Sequence, residues 1–412
     1  MSKPPIGFFD NERVTHRALM DGQGEATRHR IMQRGEEMVL LLQDTTEFDF
    51  SHHPQTGGMG SLENEFMSGF LAHSTLAVSG DGMPLGLLDQ QVWVRAAAEA
   101  GKRHRRHQLP IEAKESYKWI AGLPPPPGDD WVAEMITVCD READIYEFLD
   151  EALGQGIDFI VRAARDRKLE AEQGKLFTTL RQMPVQQRYK LRLQRHPDRE
   201  AREAVVELRY GTVTLVAPKR AQTEHPWLTV QGVEVYEPHP PPGQKAVHWR
   251  LLTSRPVETP PQAHQVVEWY ATRWLIERFH YVLKSGCRLE ERQLREQPRL
   301  ERLLAVFNLV AWNLLWLTYQ ARQTPDAVCM VVLEDDEWQA LYAHTHQTMD
   351  LPPTPPTLGE TTHWIAQLGG FLDRKGDGEP GVKVLWRGWT RLQDIVATWR
   401  LFHPPPTNVG NV

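Results

Sequence analysis

Two apolar runs that each lead into an aspartate restrict this chain to few folds. Met38 to Leu42 runs into Gln43-Asp44-Thr45-Thr46, and Glu134 to Cys139 runs into Asp140. Runs this short have the length of buried strands rather than of core helices. Leu71 to Val78 and Leu85 to Val94, joined by Gly80-Asp81-Gly82, read as a hairpin with a glycine-rich turn. Arg141 to Leu153 has helical periodicity, and Asp158 to Arg162 reads as a further short strand. Antiparallel strands followed by βαβ elements predict a mixed sheet of the α/β class. Ligands gather at the carboxyl ends of strands in such sheets, so Asp44 and Asp140 become the first candidate site residues.

At 412 residues the chain is too long for one compact core and suggests two or three domains. From Asp166 to about Ala246 the pattern changes to short alternating strands: Tyr189–Leu193, Ala204–Leu208, Thr212–Val216 and Gly232–Tyr236. Loops such as Pro240–Pro242 flank them, and the segment reads as an all-β insertion with Trp249 to Thr253 as its exit strand. Two long helices are predicted next, about Gln262 to Ser285 and Leu300 to Arg322, followed by a helical tail carrying Trp364, Phe371, Trp386, Trp389 and Trp399. The apolar run Leu303 to Thr318 holds Asn308 and Asn313 and reads as a core helix, not a membrane span. Three cysteines without paired spacing argue against a disulfide framework and a structural zinc site. With no apolar signal segment at the start, they fit a reducing cytoplasm.

A net charge of −7 argues mildly against nucleic acid as a partner. Charge is uneven, however. Fifteen Lys and Arg face seven Asp and Glu between Arg162 and Arg220, and KRHRRH spans Lys102 to His107. Either cluster can equally be a solvated face.

The stretch WYATRWLIERFHYVLKSG carries Tyr270, Arg273, Glu277 and Lys284. At about 100° per residue these four fall within a ~60° arc of a helix and form a ridge ~21 Å long. Leu275, Phe279, Val282 and Leu283 lie opposite and are expected to bury that face. One acid set among phosphate-binding cations suits a helix that holds a DNA backbone and a metal together. Three carboxylates from distant segments, Asp44, Asp140 and Glu277, can hold two divalent ions and drive in-line phosphoryl transfer. Magnesium is the natural choice for an all-oxygen ligand set. Taken singly, the aspartates also read as turn or cap residues, Arg273 and Glu277 as an i,i+4 ion pair, and Trp249 as core.

The combination resembles the bacterial DDE transposases of the insertion-sequence-four group, most closely those of the Tn five type. Tyr270, Arg273, Glu277 and Lys284 have that group's signature spacing, and RWLIERFH resembles its wording. QDTT around Asp44 and VCDREADIY around Asp140 resemble the segments carrying its two catalytic aspartates. Trp249, 28 residues before Glu277, matches a tryptophan on which the family stacks a flipped base. LERLLAVFNLVAWNLL and GGFLDRKGDGEPGVKVLWRGW extend the likeness to nearly the whole chain.

The resemblance implies an RNase H-like catalytic core split over 36–165 and 247–320, a β-rich insertion at 166–246, and a helical C-terminal dimerisation region at 321–412. It implies cut-and-paste transposition by two magnesium ions, which manganese can replace, acting on transposon ends and target DNA within a DNA-assembled homodimer. Asp44, Asp140 and Glu277 are then catalytic metal ligands. Tyr270, Arg273, Lys284 and Trp249 are DNA contacts, with Arg162 as a further candidate. Family members usually place a helical end-reading domain before the core. Here Asp44 comes early, and GFFDNERVTHRALM resembles only the last part of such a domain, so residues 1–35 read as its remnant. The alternative is a non-catalytic inhibitor that dimerises with a longer relative. A general RNase H-like nuclease is a third reading.

Overall fold

The computed structural model describes residues 6–64, 66–95, 109–125, 133–170, 174–193, 201–219, 221 and 223–403. The KRHRRH cluster lies outside them. The described residues form two compact units, one of residues 20–82 and 86–277, the other of 1–19, 83–85 and 278–412.

The first unit is built on a sheet. In chain order its strands are β1 (Met38–Asp49), β2 (Gly60–Ser61), β3 (Ser68–Ser79), β4 (Pro84–Trp93), β5 (Glu134–Cys139), β6 (Asp158–Arg162), β7 (Gln187–Leu193), β8 (Arg202–Val216), β9 (Trp227–Tyr236) and β10 (His248–Thr253). They join in the order β2-β3-β1-β5-β6-β10-β9-β8-β7, with β4 also on β3. β1, β5 and β6 are parallel neighbours, and antiparallel strands flank them on both sides. This is the mixed α/β sheet of an RNase H-like core, and the inserted segment lengthens it through β7, β8 and β9.

Helices α1 (Ile6–Asp10) and α2 (His16–Arg34) precede the sheet. α3 (Tyr117–Ala121), α4 (Tyr146–Gly154) and α5 (Leu176–Gln182) cover one of its faces. Their core includes Trp119, Phe148, Phe159, Leu176, Val213 and Leu252, all buried. Burying side chains of this size stabilises by about 1.5–3 kcal/mol each. Two differences from the sequence expectation have local causes. The segments Ala204–Leu208 and Thr212–Val216 are one strand, because Gly211 does not make a turn. It pairs with Gly232, and a Cβ at either position would press on Met183 or Leu180 at 3.0 and 2.7 Å. The two glycines let α5 lie close to the strands. The basic stretch after Arg162 is largely paired within the fold: Arg167 with Asp144, Arg188 and Arg209 with Glu207, and Arg202 with Glu237. Much of the charge on the described residues of this stretch therefore has a partner within the fold.

α6 (Pro260–Thr272) leads to α7 (Trp274–Tyr281). α6 starts where Thr259 and Gln262 form a capping box and two prolines occupy the first turn. In the second unit α8 (Gln297–Gln323) precedes α9 (Asp335–His346), α10 (Leu358–Leu368) and α11 (Val382–Phe402). α8 is long and apolar enough to cross a membrane, but more than half of that window is buried inside the protein. Trp338, Leu341, Ile365, Leu385, Leu392 and Val396 form the core shared by α9, α10 and α11.

Candidate active site

Register places the candidate residues. Leu42 pairs with Val138 between parallel β1 and β5, so Asp44 stands level with Asp140. Cys139 pairs with Val161, which brings Arg162 to the same level, and Arg162 pairs with Leu251. Asp44, Asp140 and Arg162 therefore lie in one row across the sheet, with Trp249 two residues beyond on β10. Side chains alternate faces along a strand, so all four belong to one face. Asp44 is not at the end of its own strand, because β1 continues to Asp49. It marks the point where the parallel partner β5 ends, after Cys139, and that is the edge at which α/β sheets bind ligands.

The long helix predicted over Gln262–Ser285 is interrupted. Arg273 N–H donates to the Tyr270 carbonyl at 3.1 Å and Ile276 N–H to the Arg273 carbonyl at 3.2 Å, tightening the chain at Arg273. After α7 the segment Val282–Gly286 widens into a π turn, closed by Cys287 N–H on the Val282 carbonyl at 2.8 Å. Arg273 itself keeps right-handed helical dihedrals, so the ridge is tightened at Arg273 and widened after Tyr281. Tyr270 is buried, while the Glu277 side chain is 44% exposed. Leu275, Phe279, Val282 and Leu283 are buried as the spacing requires. Lys284 falls in the second unit, 3.8 Å from Glu290.

Arg273 gathers the acids. It forms an ion pair with Glu277 and lies 3.9 Å from Asp44. Burial alone would lower its pKa, but Tyr270 and the charges of Asp44, Glu277 and Asp140 raise it above arginine's ordinary value. Asp140 accepts a hydrogen bond from the Glu142 backbone at 2.7 Å, so it is a cap as well as a site residue. Burial raises its pKa; that hydrogen bond from Glu142 offsets part of the rise, the charge of Asp44 adds to it and Arg273 opposes it. The two aspartates are thus close enough for each to feel the other's charge. Among the described residues no three His, Cys, Asp or Glu form a preformed cation cage. Even so, the donors suit a hard divalent ion, since all are carboxylates. Arg273 supplies positive charge beside them in the free protein.

Trp249 meets Tyr270 edge to face, with ring centroids 5.3 Å apart. Arg162 donates to the His248 carbonyl at 3.0 Å and hydrogen-bonds Tyr270, so it braces Tyr270 from inside the fold. Behind Trp249, on the opposite sheet face, buried Glu234 accepts from His248 Nε2 at 2.8 Å and from Arg250 Nε at 3.2 Å. Burial would raise the Glu234 pKa; its hydrogen bond from His248 and the charges of Arg181, His248 and Arg250 bring it below the usual value. Sequence reading passes over this anchor, and its only signal is the alternation of His248 and Arg250 around Trp249.

The transposase DDE domain matches residues 113–314, and the transposase Tn5 dimerisation domain matches residues 309–402. The chain belongs to the DDE transposases, related to those of the Tn5 type. The first match takes in Asp140, Trp249 and Glu277 and starts after Asp44, whose place rests on its register with Asp140. DDE transposases act on DNA and generally use divalent metal ions, and the second match makes the C-terminal helices of this transposase a dimerisation domain.

The raised Asp140 pKa has a stability consequence. A buried acid whose folded pKa exceeds its unfolded value binds more protons when folded, so stability falls as pH rises through that window. Asp140→Asn keeps the acceptor for Glu142 and removes the charge. In EDTA at neutral pH it is expected to raise Tm. The gain should shrink as pH falls through the raised value toward about 3.9, the unfolded aspartate value. Thermal melts of both proteins across pH check this, and an equal or lower Tm for the variant at pH 7 would contradict the charge crowding.

Proposed function

We propose that this transposase catalyses cut-and-paste DNA transposition by in-line phosphoryl transfer at the corner formed by Asp44, Asp140 and Glu277. The observation that carries this reading is the row of Asp44 and Asp140 on adjacent parallel strands, with Arg273 and Glu277 brought to it by α6 and α7. Nicking at the element's end frees a 3′-hydroxyl. That hydroxyl attacks the opposite strand to give a hairpin, water reopens the hairpin, and the 3′-ends join target DNA. Two magnesium ions, when bound, supply an activated water or hydroxyl and neutralise the leaving oxygen.

Asp44, Asp140 and Glu277 hold those ions. Arg273 exchanges Glu277 for a DNA phosphate, and Tyr270 and Lys284 add backbone contacts. A tight hairpin cannot keep its terminal bases stacked. Trp249, already held edge-on by Tyr270, offers its face to the extruded base. Two chains assemble on DNA through the dimerisation domain.

The test is the purified full chain with magnesium and duplex carrying the inverted repeats that flank its gene. Nicked and hairpin products are expected in succession. Trp249→Ala should slow hairpin formation or opening by about tenfold, the value of one base–aromatic stack, and spare the first nick. DNA that is bound but never cleaved in magnesium or manganese would overturn the catalytic reading. A uniform loss across all steps in Trp249→Ala would make that side chain core.

A further inference from the structure

The opposite face of β1 carries a buried polar cluster. Gln43 and Thr45 flank Asp44 and point away from it. Between them on β3, across the Thr45–His73 pair, sits His73. Gln43 and His73 are 0% and 1% exposed. Thr45 Oγ1 is 2.9 Å from His73 Nδ1, and His73 Nε2 is 3.1 Å from Gln43 Oε1. Gln43 Nε2 donates to the Gly122 carbonyl at 2.6 Å. The imidazole stands edge-on to buried Trp119, with centroids 4.6 Å apart.

With a neutral imidazole, the donors and acceptors leave one consistent arrangement. The Gly122 carbonyl can only accept, so the Gln43 amide nitrogen faces it and Gln43 Oε1 faces His73. That oxygen must accept, so His73 carries its proton on Nε2. Nδ1 then accepts from the Thr45 hydroxyl. The chain Thr45–His73–Gln43–Gly122 clamps both residues next to Asp44 and ties β1 to the turn after α3. A Cβ at Gly122 would meet the end of the Gln43 side chain at 2.9 Å and force it to shift.

We propose that His73 is a positioning residue for the transposition reaction: through Gln43 and Thr45 it fixes the β1 backbone so that Asp44 stands level with Asp140. This rests on the reading of Asp44 as a metal ligand. Buried polar networks have one satisfied arrangement and lose it as a unit when a member is removed. Here the unit controls the tilt of the strand segment that presents the carboxylate, and His73 itself touches neither DNA nor metal.

The experiment uses full-length His73→Leu, His73→Gln, Gly122→Ala and Asp44→Asn. Three readouts apply: duplex affinity, single-turnover cleavage, and MnCl2 binding to the protein–duplex complex by electron paramagnetic resonance. Releasing the β1 segment is expected to weaken manganese binding and slow cleavage about tenfold in His73→Leu, the low end of what loss of a ligand's own hydrogen-bond partner does, with duplex affinity unchanged. His73→Gln, which can donate to Gln43 and accept from Thr45, should recover most of both. Gly122→Ala displaces Gln43 without altering the imidazole and should reproduce the defect, so it carries the test if His73→Leu does not fold. Normal manganese binding in a folded His73→Leu or in Gly122→Ala overturns the positioning role, as does a loss of duplex affinity parallel to cleavage. Unchanged manganese binding in Asp44→Asn instead overturns the metal-ligand reading beneath it.

Discussion

Asparagine at Asp44 or Asp140, or glutamine at Glu277, is expected to reduce DNA cleavage about 10⁴-fold, the scale of removing one member of a catalytic unit. Each amide keeps the shape of its carboxylate, and at position 140 it keeps the acceptor for the Glu142 backbone. What is lost is negative charge, and a neutral amide is a poor ligand for a hard divalent ion. The three losses should not add, because the groups act as one unit. DNA affinity should stay within about twofold or rise, since each change removes a charge that repels phosphate. Glu277→Gln should bind DNA at least as tightly as the parent, because Arg273 loses its ion-pair partner. Single-turnover cleavage beside a binding titration separates the two effects. Cleavage that survives in any of the three while DNA binding collapses would remove that residue from the metal-binding set.

Arg167→Met is expected to have the largest effect on stability. Arg167 and Asp144 form an ion pair whose side chains are 4% and 0% exposed. Asp144 also accepts from the Ala164 and Arg165 backbones, each at 2.8 Å. Removing the arginine strands a buried carboxylate, which costs about 3–5 kcal/mol. For a unit of this size that is a fall in Tm of roughly 10 °C. Pairing it with Asp144→Leu should recover part of the loss by removing the stranded charge. Recovery should be incomplete, because two backbone N–H groups remain without their acceptor. The double-mutant cycle reads this as a coupling energy. A Tm for Arg167→Met within a degree or two of the parent would mean that water reaches Asp144. Asp144 ends the turn that begins at Asp140, so the single variant is also expected to loosen the site.

The two predictions rest on residues that differ in how legible they are. Asp44 and Asp140 stand out in the sequence because apolar strands lead into them, and Glu277 stands out by its spacing from Tyr270, Arg273 and Lys284. Asp144 and Arg167 carry no such mark. Each reads as an ordinary surface charge, and only burial against one another makes them structural. His73 is intermediate: LAHSTLAV is an apolar strand with polar residues inside it, which signals a buried network but not its partners.

By itself the sequence determined the elements that short-range periodicity encodes. The strands Glu134–Cys139 and Asp158–Arg162 agree residue for residue with β5 and β6, and the buried face of α7 follows its apolar spacing. Periodicity says which way a side chain points relative to its own strand or helix. It does not say which strand lies alongside. The tertiary structure decided that Asp44 stands level with Asp140, ninety-six residues away, because parallel pairing fixes β1 against β5. It decided that Tyr270 is buried while Glu277 stays exposed, because Trp249 and Arg162 on the sheet cover Tyr270. It also decided that Arg167, Arg188 and Arg202 hold the fold together, since the acids that pair with them, Asp144, Glu207 and Glu237, are distant in sequence.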